Sequence, residues 1–118
     1  MRTLLAICTT VVICGGARAE TLVFIDKNDP GRRLEDTRTT DSSGRIVRSV
    51  RIILSGPRCN ATLSSRTLGD AGGVVAMEDE CIVKILPAPS GRRVKEVQAC
   101  EYKRGPGCTF SGIYSKTK

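Results

Sequence analysis

The chain has 118 residues, nineteen basic against twelve acidic side chains, and no histidine. That length amounts to one domain, and the missing imidazole removes Ser-His-Asp and Cys-His nucleophilic mechanisms. Phe24, Tyr102, Phe110 and Tyr114 are the whole aromatic complement, so the core must be built from Val, Ile and Leu. A domain of this size buries roughly two-thirds of its unfolded surface, which leaves a narrow stability margin.

The N-terminus carries the three parts of an export signal: a basic start at Met1-Arg2-Thr3, an apolar run over residues 4–14, and an A-x-A site at Ala17-Arg18-Ala19. The run is too short for the ~20 residues that span a bilayer. Ile13 is too bulky for the position before a lipidated Cys14. Residues 1–19 are therefore predicted to be a removable signal peptide, and residues 20–118 a single β-rich domain without a membrane span, extracellular or, in a bacterium, periplasmic. Seventeen basic residues then face twelve acidic ones, a net charge of about +5 that favours acidic partners.

From the N-terminus onward, the sequence predicts a first strand at 21–26. Residues 27–44 are polar and charged, which predicts a long mobile loop. Residues 46–54 suit a helix by spacing, but Ile52 falls on the wrong face and the β-branched content favours a strand. Segments 59–64, 74–77, 81–86, 94–102 and 108–114 also have strand composition, with turn residues between them. About seven short strands imply a mainly β fold, a small antiparallel sandwich or barrel-like domain.

Cys8 and Cys14 leave with the signal, so Cys59, Cys81, Cys100 and Cys108 remain. An even number in an exported chain implies two disulfides. Zinc is disfavoured, because the cysteines form no C-x-x-C pair and no histidine is available. Four cysteines allow three connectivities. Symmetry about the turns at 69–73 and 104–107 favours Cys59–Cys81 with Cys100–Cys108.

No motif carries catalysis. Asp26-Lys27-Asn28-Asp29-Pro30-Gly31 opens like a calcium loop, but Pro30 and Thr37 occupy ligand positions, and no cofactor is implied. Glu78-Asp79-Glu80 abuts Cys81, and Glu78 and Glu80 share a face on a strand. With an arginine they are the candidates for a small secreted nuclease or glycosidase, the alternative to a binding protein. Gly31-Arg32-Arg33 and Gly91-Arg92-Arg93 suggest a second alternative, a precursor cut into bioactive peptides. Asn60-Ala61-Thr62 is a glycosylation sequon.

Residues 42–68 hold Arg45, Arg48, Arg51, Arg58 and Arg66 and no acid. This block is the candidate binding surface, with Arg45 and Arg51 on one strand face and Arg48 on the other. It lacks the interleaved aromatics of a nucleic-acid binder. The expected object is a small secreted basic module that binds a protein or other acidic macromolecule, as effectors, inhibitors or toxins do, and makes no bonds.

Overall fold

Burial alternates residue by residue: Val50, Ile52 and Leu54 are buried while Arg51 between them is exposed. This is the two-residue period of a strand with one face in a core. The computed structural model describes residues 18–57, 59–70, 73–98, 100–105 and 107–117. Among these, eight strands follow one another as β1 (Arg18–Asp26), β2 (Asp29–Thr40), β3 (Ile46–Leu54), β4 (Ala61–Asp70), β5 (Gly73–Glu78), β6 (Cys81–Ala88), β7 (Gly91–Gln98) and β8 (Gly112–Lys116), with a one-turn helix α1 (Glu101–Arg104) before β8. Each strand pairs antiparallel with the next, and β8 returns to β1 through Phe24–Lys116, Ile25–Ser115 and Asp26–Tyr114. The result is a closed antiparallel barrel of eight strands, one more than the composition suggested.

Closure demands close backbone approach. A Cβ on Gly91 would lie 2.2 Å from the Tyr114 carbonyl oxygen and 3.0 Å from the Phe24 ring, so any side chain there would force β7 off β8. Inside, Phe24, Leu34, Ile52, Leu63, Val83, Val94, Phe110 and Tyr114 fill the barrel as one cluster, the solid interior usual for eight strands.

Three expectations change. Residues 29–40 form the longest strand, β2, where a loop was predicted. Leu34 is the only apolar residue among its inward positions; Arg32 and Asp36 beside it face the interior and are neutralised by partners on other strands. Residues 94–102 do not make one strand, since β7 ends at Gln98 and Glu101–Arg104 is helical.

The disulfides also differ, joining Cys59 to Cys108 and Cys81 to Cys100. Cys59 precedes β4 and Cys81 opens β6, so β5 separates the two where a single hairpin was expected. Cys81 instead lies eight residues before the β6–β7 turn and Cys100 ten after it, a bulge in β7 taking up part of the difference, and they meet across that hairpin's open end with Cα atoms 4.3 Å apart. The bridges span 49 and 19 residues, worth about 4 and about 3 kcal/mol respectively by loop entropy. Residues 1–17 of the predicted signal lie outside the described residues, while Arg18 and Ala19 start β1 opposite Thr40 and Thr39.

The segment between β7 and β8 seals one end of the barrel. Phe110 is fully buried there, its N–H donating to Glu96 Oε2 at 2.7 Å, while the Tyr114 hydroxyl donates to the Phe110 carbonyl at 2.7 Å. Burial pushes the Tyr114 phenol far above its ordinary range, so it stays a neutral donor. Arg32 Nη1 donates to the Ser111 carbonyl at 2.6 Å and Nη2 pairs with Asp26. Arg104 grips Glu96 through two bonds, at 2.7 and 3.0 Å.

Burial alone would raise the Glu96 carboxyl, but Arg104 and the Phe110 N–H outweigh it and hold it below the ordinary 4.5. A depressed folded-state pKa gives stability that is present above the unfolded value and lost as pH falls through the folded one. Glu96→Gln should accordingly lower stability by about 2–4 kcal/mol at neutral pH. Chemical denaturation across pH should show that gap to the parent protein narrowing only below the ordinary 4.5.

Candidate interaction surface

The barrel interior is filled, so the outward strand positions and the strand ends are what a partner meets. The described arginines of the block do not share one face. Arg45 is exposed in the β2–β3 turn, where Asp41 Oδ1 accepts the Ser43 and Arg45 N–H groups, each at 2.9 Å. Arg51 points outward and contacts Glu35 at 3.2 Å; Arg66 is exposed on β4. Arg58 lies outside the described residues.

Arg48 turns inward, on the face opposite Arg51 as the strand period requires. Its Nε donates to Asp36 Oδ1 at 3.0 Å and its Nη2 to Oδ2 at 2.7 Å. The Asp36 side chain is 3% exposed. A buried carboxylate of this kind needs its fork of donors, which makes Arg48 structural.

The Glu78–Glu80 cluster is a turn. Glu78 ends β5, Asp79 takes the left-handed conformation at φ 56°, and Glu80 is exposed. Glu78 Oε1 accepts the Ser64 N–H at 2.9 Å and contacts Lys103 Nζ at 3.0 Å, while Asp79 contacts the same ammonium at 3.3 Å. These bonds raise the Lys103 pKa, the Glu78 bond most. The cluster thus fastens α1 to the β5–β6 turn. The two dibasic sites, Arg32-Arg33 and Arg92-Arg93, lie within paired strands.

Other carboxylates are engaged in the same way. Asp26 holds Arg32, Asp36 holds Arg48, Glu96 holds Arg104, and Glu35 contacts both Arg33 and Arg51. Among the described residues, by contrast, no ion pair reaches Arg45, Arg66, Lys84, Arg93 or Lys95.

The outward positions of β4 to β7 combine those cations with apolar side chains. One row across the sheet runs Leu68, Val75, Lys84, Lys95, and the next places Met77 beside Ile82. A bulge between Ile82 and Val83 leaves Val97 as an extra, exposed residue alongside. This face was missed in the sequence because its members come from four strands. The register that assembles them is set by the three hairpins joining β4 to β7.

Beside the start of β1, Arg18, Glu20, Arg38, Thr40 and Ile46 line a groove of about 480 Å³, from which removal of residues 1–19 would take Arg18. No helix among the described residues is long and apolar enough to cross a membrane.

Comparison with known proteins gives no match: no family model, no curated protein and no solved structure is similar to this chain.

Arg48→Ser should destabilise the fold by about 3 kcal/mol, because it strands Asp36. Arg45→Ser should change stability by no more than ~0.5 kcal/mol. Thermal and urea unfolding of the two variants measure this contrast, which an arginine block acting as a single surface would not produce.

Proposed function

We propose that the protein is exported, stapled by its two disulfides, and acts by binding an acidic partner, foremost a protein, through its outer surface. One observation carries this reading. Carboxylates on several strands are held by the chain's own cations, whereas Arg45, Arg66, Lys84, Arg93 and Lys95 face outward without an internal counter-charge. The positive charge that remains is therefore presented to the surroundings. A rigid β scaffold can display such charges at little entropic cost on binding.

Binding, and not bond-making, is supported by the state of the only dense acid cluster. Glu78 is committed to Ser64 and Lys103, and Glu80 stands apart in a turn. A hydrolase built on the pair would need both carboxyls at one substrate, with room for water between or beside them. Export is supported by the signal pattern of residues 1–19 and by two disulfides, which persist in oxidising compartments. The exported product should begin at Glu20 and contain no alkylatable thiol, as intact mass before and after reduction would report.

Polyglutamate is the simplest probe of the binding claim. Its affinity for the mature protein should fall at least about tenfold between ~0.02 and ~0.3 M salt, as screening shortens the reach of exposed charges. Salt-independent binding, or none, would defeat the proposal. So would turnover of RNA or a glycan at a rate abolished by Glu78→Gln or Glu80→Gln.

A further inference from the structure

Lys84 on β6 and Lys95 on β7 are direct cross-strand partners. Like charges placed opposite each other on a sheet repel and destabilise it. Elsewhere the chain resolves such conflicts with its own carboxylates. Arg33 and Arg51 lie on adjacent strands, and Glu35 reaches both, at 3.2 Å from each. Arg38 and Arg48 are also cross-strand partners, and there Asp36 binds Arg48. Between Lys84 and Lys95 the described residues supply no acid.

The same row continues through Val75 to Leu68, which is 73% exposed; Met77 and Val97 in the adjoining row are 53% and 55% exposed. Exposed apolar side chains scattered singly need no explanation. Here they adjoin one another and the unresolved lysine pair on four consecutive strands, the pattern of an interaction site.

We propose that the outer face of β4–β7 docks a different protein whose surface sets a carboxylate between Lys84 and Lys95 and apolar side chains against Leu68, Val75 and Met77. This rests on the proposed function and specifies its site. The partner's carboxylate takes the place that Glu35 holds between Arg33 and Arg51. Its binding removes a repulsion already present in the free barrel, so the acid gains more here than beside a lone lysine. A second copy of the chain is a poor occupant, because the same face would oppose lysines to lysines. A polyanion without apolar groups would leave Leu68 and Met77 exposed.

The test uses isotope-labelled mature protein with both disulfides intact. The probe is a short soluble peptide alternating glutamate with leucine, compared with all-glutamate and glutamine–leucine peptides of equal length. Amide shifts should concentrate on β5, β6 and β7, and the alternating peptide should bind more tightly than either control. Lys84→Gln with Lys95→Gln, or Leu68→Ser with Met77→Ser, should each weaken it about tenfold. Lys95→Glu is the discriminating variant. It supplies the missing carboxylate internally, so it should raise Tm by about 2–4 °C and abolish peptide binding.

Unchanged peptide affinity in Lys95→Glu would overturn the site. Shifts confined to the region of Arg45 would overturn it too while leaving charge-driven binding intact, whereas loss of all salt-dependent binding would remove both proposals. Phosphatidylglycerol vesicles or single-stranded RNA binding through these residues, with the peptide ignored, would replace the protein partner by a lipid or nucleic acid. Self-association abolished by Met77→Ser would replace it by a second copy.

Discussion

The division of the eight strands into an inner and an outer face depends on β8 lying between β7 and β1. Its pairing with β1 extends over only three residue pairs, Phe24 to Asp26 against Lys116 to Tyr114. That short seam decides which side of every strand is inside. It is possible because Gly91 leaves room for the β8 backbone, and Gly112 does the same for the Asp26–Arg32 pair, whose atoms would lie 2.9 and 3.1 Å from a Cβ there. Around the seam the chain concentrates its strongest polar contacts. Arg32 ties β2 to Asp26 and to the carbonyls before β8, while Tyr114 ties β8 to Phe110.

Closure also sorts the charges. A small barrel with few aromatics has little apolar volume to fill its ends, and it completes them with Asp26–Arg32 at one end and Asp36–Arg48 toward the other. Pairs of this kind are weak contributors to net stability but costly to break, so they fix the register of β1, β2 and β3. Glu78 and Glu96 serve the sealing segment similarly through Lys103 and Arg104. With these acids engaged, the cations of β4, β6 and β7 face outward unopposed, and the surface chemistry follows from the way the ends are built.

The strand character of 46–54, the placement of Arg48 opposite Arg51, and the number of disulfides were legible in the sequence because they depend on local period and composition, whereas Arg45, expected beside Arg51 on the strand, lies in the turn before it. β2 was not, since Arg32 and Asp36 look like loop residues until Asp26 and Arg48 are brought to them from other strands. The disulfide pairing failed for a related reason. The turn at Gly69 to Gly73 does lie midway between Cys59 and Cys81, but it joins β4 to β5, and β5 then turns again at Asp79-Glu80 before reaching Cys81. The turn at Pro89-Ser90 lies within one residue of the midpoint of Cys81 and Cys100. The β4–β7 face could not be read at all without register, because Lys84 and Lys95 are neighbours only across a hairpin.

A closed barrel and an open, curled sheet of the same eight strands would share most of these local contacts; only the closed form fixes the inward and outward faces used here. The decisive measurement is a backbone nuclear Overhauser contact between Ile25 and Ser115 in the mature, disulfide-intact protein, with hydrogen exchange recorded across β8. Closure predicts that contact, together with slow exchange at the β8 amides bonded to β1 and β7. No contact across the seam, with β8 exchanging at the rate of an unpaired edge, would contradict the barrel and the charge arrangement derived from it.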